Sequence, residues 1–145
     1  MALTQIINSG IGQVTDIKIG GSGSANTLNA YEEGTWTPAL NGGLTPSITS
    51  ASYTVIGNRV FLTCAITVPG NSINSSIIVS GLPYSTLHDG SGALGYTNAQ
   101  TTNDFFILVQ GSNIYFYKGV GATNYSLLDF SGLILRFTAQ YNINN

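Results

Sequence analysis

Two glutamates stand side by side in AYEEGTWTPAL, residues 30–40, next to the one tryptophan of a chain with six acidic and four basic residues. Paired carboxylates are the machinery of glycoside hydrolysis, where two carboxyl groups flank one scissile bond. Thr35, Trp36 and Pro38 indicate extended backbone, and successive side chains of an extended strand leave on opposite faces. Glu32 and Glu33 then diverge and do not share a substrate atom. Their expected role lies at an edge, accepting backbone N–H groups where an N-terminal segment joins the domain and discouraging stray strand pairing.

The other candidate groups fare no better as catalysts. His88, the one histidine, lies in STLHDGSGALG with Asp89 and Ser91 close by. Residues adjacent in a turn do not form a triad, and no G-x-S-x-G elbow occurs, so a loop histidine is the expectation. One His and the distant Cys64 do not supply a zinc site. Asp16, Asp89, Asp104 and Asp129 lack calcium-loop spacing. GIGQVT and GVGATN lack the third glycine and the strand-to-helix setting of a dinucleotide site. Cys64, in RVFLTCAITV, reads as a small buried hydrophobe. No enzyme, metal or cofactor is expected.

A contact surface is a better match to the residues. NIYFYKGVGATNYS gathers Tyr115, Tyr117 and Tyr125 near Lys118 and Asn124 around a glycine-rich loop. Alternation sets Tyr115 and Tyr117 on one face, Ile114 and Phe116 on the other. Exposed tyrosine rings stack on sugar C–H faces while amides read hydroxyls, so this surface suits a glycan or a protein. The plainer reading is that the same tyrosines finish the outer face of a low-charge sheet or pack between subunits.

Composition sets the limits for the elements that must carry such a surface. The chain has 145 residues, enough for one domain with its own core. Charged residues make up 7%, against roughly 25% in an average domain. Hydrophobic content of 43% can repay ordering entropy. With a net charge of −2 and four scattered cations (Lys18, Arg59, Lys118, Arg136), the chain cannot neutralise a run of phosphates, so no nucleic-acid partner is expected. The N-terminus lacks a signal-peptide pattern, and FFILV and LILRF are too short to cross a bilayer. Synthesis in a cytosol, without membrane insertion, is the expectation.

The hydrophobic period is close to two. Val60, Leu62, Cys64, Ile66 and Val68 share one side of a strand whose other side holds Arg59, Thr63 and Thr67. Leu133, Leu135, Phe137, Ala139 and Tyr141 repeat the pattern near the C-terminus. SIIVS, ALGYT, DFFILV and NIYFYK read as further strands, the last two joined as a hairpin through a short Gly-containing connection. No ten-residue stretch has helical spacing. The pattern predicts an all-β fold, an antiparallel β-sandwich of jelly-roll type, over residues 31–145. Residues 1–30 hold few large side chains and a Gly/Ser-rich joint, GGSGSAN. Ile17 and Ile19, flanking Lys18, could form a short strand. This arm buries too little area to stand alone at roughly 25 cal/mol per Å². It is expected to dock on a partner chain through Ile6, Ile7, Ile17 and Ile19.

YEEGTWTP (31–38), YTVIGNRVFL (53–62) and VSGLPYS (79–85), in this order, resemble the C-terminal β-domain of tail-fibre and related structural proteins of tailed bacteriophages. The resemblance covers about residues 30–90. Val55 stands where that pattern has a lysine, and Tyr84 where phenylalanine is common. The resemblance implies that Tyr31 and Pro38 help form the lead-in to the domain, with Trp36 as its apolar anchor. It also implies that Tyr53, Ile56 and Gly57 begin a long central strand, with a turn or bulge at Gly57-Asn58. A homotrimer on a virion surface follows in the same way, with the arm bound to other virion proteins and the β-domain facing a host-surface glycan or protein. A fibre or fibre-tip subunit is the first expectation, a capsid decoration protein the alternative.

Overall fold

Strands form where side chains alternate. In the computed structural model, residues 17–18, 27–28, 30–99, 104–119 and 123–144 are described. β1 (Ile17–Lys18) pairs with β2 (Thr27–Leu28) as a separate two-stranded ribbon. Ile6, Ile7 and Ile19 lie outside the described residues. The domain follows as β3 (Tyr31–Thr35), β4 (Ala39–Leu40), β5 (Ser47–Ile56), β6 (Arg59–Thr67), β7 (Ile78–Ser80) and β8 (His88–Thr97). β9 (Phe105–Gln110), β10 (Asn113–Lys118), β11 (Thr123–Asn124), a single 3-10 turn (Leu128–Phe130) and β12 (Ile134–Asn142) complete it. The β9–β10 hairpin turns on Gly111-Ser112, as the sequence predicts. Gly57-Asn58 is a tight turn, but Tyr53 and Ile56 close β5 before it rather than opening the central strand.

The fold is all-β and antiparallel, a curled sheet consistent with the jelly-roll-like expectation. The strands share one continuous antiparallel sheet, in the order β3-β5-β6-β12-β8-β9-β10-β7-β4, with β11 beside β10. β3 and β4 are consecutive in the chain yet occupy opposite edges of this path. Flat, those edges would stand eight strand spacings apart, about 38 Å at roughly 4.8 Å each. The link from Thr35 to Ala39 can reach only about 14 Å. The sheet must therefore curl until its edges meet, and Trp36-Thr37-Pro38 is the seam. β3 and β4 do not pair, so the curl is an open roll and not a closed barrel.

The inner face of the roll is the core. Along β6 and β12 the paired residues Leu135 and Ile66, Phe137 and Cys64, Ala139 and Leu62, Tyr141 and Val60 all point inward and are buried. The opposite wall supplies Phe116, whose ring meets Phe137 edge-on across the interior at 5.3 Å. Phe105 stacks on Tyr125 at 4.2 Å, and Tyr125 leans on Phe130 at 5.3 Å. Such aromatic pairs contribute about 0.5–1.5 kcal/mol each beyond area burial.

His88 corrects the loop expectation. Instead of lying in a turn, it opens β8, and the glycines after it mark close strand approach. A Cβ at Gly90 would lie 2.3 Å from the Gln140 carbonyl oxygen, and one at Gly92 2.4 Å from that of Thr138. β8 lies tight against β12 because these positions have no side chain.

Candidate functional site: the seam and the outer face

The glutamates belong to the seam. Extended backbone sends Glu32 and Glu33 to opposite faces, as their adjacency dictates. Glu32 accepts hydrogen bonds from the hydroxyls of Tyr53 and Tyr84, and Glu33 accepts one from Tyr31. The bonds go to tyrosine hydroxyls, not to the backbone N–H groups expected from sequence. The Tyr53 and Tyr84 rings meet edge-on at 6.0 Å. Gly34 makes room, since a Cβ there would sit 2.7 Å from the Tyr53 ring. On the far side of the seam the Asn41 amide donates to the Ser76 carbonyl at 2.8 Å and accepts from the Ile78 N–H at 3.0 Å. Trp36, 7% exposed, donates from its indole to the Thr63 carbonyl at 3.3 Å. Pro38 is buried beside it. Tyr31 stays 62% exposed, so it contributes through Glu33 and not by burial.

The Tyr53 and Tyr84 hydroxyls hold the Glu32 carboxyl below the usual carboxylate range, and the bond to Glu32 pushes Tyr84 up to about 12. A depressed carboxyl adds stability above its unfolded pKa and loses it as pH falls through the folded one. A raised tyrosine adds stability in full below its unfolded value of 10.0, lost as pH rises toward about 12. Glu32→Gln should therefore flatten both the acid and the alkaline limbs of the Tm–pH curve. A curve superimposable on the wild type's would show that this cluster does not couple to folding.

Cys64 lies inside the roll, and burial pushes its thiol up to about 12. The native protein should resist iodoacetamide at pH 8 and react promptly once unfolded in denaturant. Native labelling at the rate of a free thiol would contradict its placement.

The candidate contact residues divide. Tyr115 and Tyr117 share the outer face of β10, opposite the buried Ile114 and Phe116. Lys118 instead pairs with Asp129 at 2.8 Å and lies 5.0 Å from the Tyr125 ring centroid. Asn124 sits opposite Tyr117 and donates to Ser76 Oγ at 2.9 Å. Tyr125 is 1% exposed, a core residue and no part of the surface. The carboxylate of Asp89 is engaged by Gln110 Nε2 at 3.2 Å. Among the described residues no three His, Cys, Asp or Glu side chains converge as metal ligands.

Register shows how far the outer face extends. Residues directly opposite on neighbouring antiparallel strands share a face. One row crosses the sheet as Thr54, Phe61, Gln140, Ser91, Leu108 and Tyr115. The next runs Ser52, Thr63, Thr138 and Ala93. Between them lies an open depression of about 470 Å³, bordered by Phe61, which is 43% exposed. Sequence reading had not singled out Phe61. Its signal was available, because a large aromatic falls in the polar register of Arg59–Val68.

An open, all-β roll of antiparallel strands is the class that this geometry defines. Its fold is similar to that of Dettilon tailspike protein (gp208), seen in a crystal structure, with a TM-score of 0.59 and 12% sequence identity. The likeness covers 79% of this chain and 24% of the tailspike chain, so this protein corresponds to a minor part of that one's length. No protein-family model matches the sequence, and no curated protein matches it.

Proposed function

We propose that the chain is a non-enzymatic virion structural protein of a tailed bacteriophage. In this reading it is a short fibre or fibre-tip subunit, assembled as a homotrimer. Its N-terminal arm docks on other virion proteins and its rolled domain faces the host surface. The observation that carries the reading is the seam: the residues Tyr31–Pro38, which resemble the fibre-domain motif, are those that close the roll, and a roll of this kind occurs within a tailspike. The non-enzymatic part draws support from the engagement of the candidate carboxylates, Glu32 by two tyrosines and Asp89 by Gln110.

Competition tests the attachment role. Host cells preincubated with the purified full-length protein should adsorb the phage more slowly, in proportion to protein concentration. Unchanged adsorption, with virions lacking the protein losing head stability, would replace this reading with that of a capsid decoration protein.

A further inference from the structure

We propose that the depression on the outer face, between Phe61 and Ala93, is a binding site for an uncharged saccharide. Resting on the attachment reading, this assigns the contact to the middle of the sheet, three strands away from Tyr115. A pyranose ring presents an apolar C–H face and a rim of hydroxyls, each both donor and acceptor. Phe61 supplies an exposed aromatic ring for the first. Thr63, Thr138, Ser91 and Gln140 supply neutral groups that donate and accept for the second.

Several features distinguish this place from ordinary polar surface. Thr63 is oriented by a 2.7 Å hydrogen bond with Ser52. The side chains of Ser91, Thr138 and Gln140 make no hydrogen bond among the described residues, so their capacity is open to a ligand. On β8 the outward side chains at the depression are the small ones of Ser91 and Ala93. Its volume, about 470 Å³, falls within the roughly 300–1,000 Å³ of small-ligand clefts.

Charge narrows the ligand class. No lining residue is charged. Two arginines flank the depression without lining it: Arg136 lies over the Tyr96 ring at 5.4 Å, and Arg59 donates to Asn142 Oδ1 at 2.9 Å. A sugar carboxylate seated among these residues would lose water with no cation in the lining to replace it. Neutral hexoses and N-acetylhexosamines fit the chemistry, whereas sialic and uronic acids do not.

The test uses the full-length ¹⁵N-labelled protein, titrated separately with maltotriose, cellotriose, chitotriose and 3′-sialyllactose. At least one neutral trisaccharide should shift amide resonances confined to residues 61–63, 91–93 and 138–140, with sialyllactose binding at least tenfold more weakly. Phe61→Ala and Gln140→Ala should each weaken that binding tenfold or more. Gln140→Ala guards against loss of fold in the Phe61 variant. No shift with any neutral sugar, shifts mapping elsewhere, or undiminished binding by both variants would overturn the proposal. So would a change of sedimentation coefficient in Phe61→Ala, which would make this face a contact between copies. The two readings can fail separately. Sugar binding at this site by a protein absent from virions would sink the attachment reading alone. Full adsorption competition by a Phe61→Ala protein that no longer binds sugar would sink the site alone.

Discussion

Trp36→Ala is expected to lower the free energy of unfolding by about 3–5 kcal/mol, the usual cost of deleting a buried large aromatic. Trp36 contributes more than area. It is the first residue after an edge strand, and its backbone N–H donates to the Ala51 carbonyl at 3.2 Å while its indole reaches Thr63 at 3.3 Å. Both acceptors lie on the β3 side of the roll, so the ring fixes the direction in which the chain leaves for the opposite edge. Truncation leaves a cavity at the seam and removes that guide. Denaturant unfolding at constant slope would measure the loss. A midpoint within error of the wild type's would remove Trp36 as the anchor and with it the present account of closure.

Gly81→Ala should cost a similar amount, about 2–6 kcal/mol, from two sources. Gly81 has φ of +90°, a conformation that strains an L residue by about 1–3 kcal/mol. A Cβ there would also lie 2.2 Å from the Thr37 carbonyl oxygen, which is rigid backbone. Relieving that overlap means moving the seam away from the end of β7, another 1–3 kcal/mol or so for forced displacement in a packed region. Circular dichroism melts of Gly81→Ala beside Gly43→Ala separate the sources, since a Cβ at Gly43 meets nothing within 4 Å while its φ is +72°. Equal melting points for the two variants would show that backbone strain alone matters and that Thr37 does not press on Gly81.

Local alternation made the strands legible, because a half-buried strand writes its two faces into every second residue. Val60 to Val68 and Leu135 to Tyr141 could be placed inward from sequence, and they are. The roll was not legible. Which edges meet depends on pairings such as β12 with both β6 and β8, and no local pattern encodes them. Only the first half of β8 was hidden, since ALGYT was read as a strand: Gly90 and Gly92 look like turn signals, yet they serve close approach to β12. The partners of Glu32 lie 21 and 52 residues away, so a composition-based reading could supply only nearby backbone groups. Tyr125 was misplaced because the chain after β10 folds back, its N–H bonding the Phe116 carbonyl at 2.8 Å and carrying the ring under Phe105. The outer face was half visible. Tyr115 and Tyr117 were read from their own strand, but their continuity with Gln140 and Phe61 needs the register of four further strands.

Placement on the particle tests the central claim most directly. Intact virions would be labelled with gold-conjugated antibody against residues 31–145 and viewed by electron microscopy. The account predicts gold at the tail tip or fibres, at a stoichiometry divisible by three. Gold over the head would contradict the fibre assignment, and no gold on purified virions would contradict the virion reading altogether.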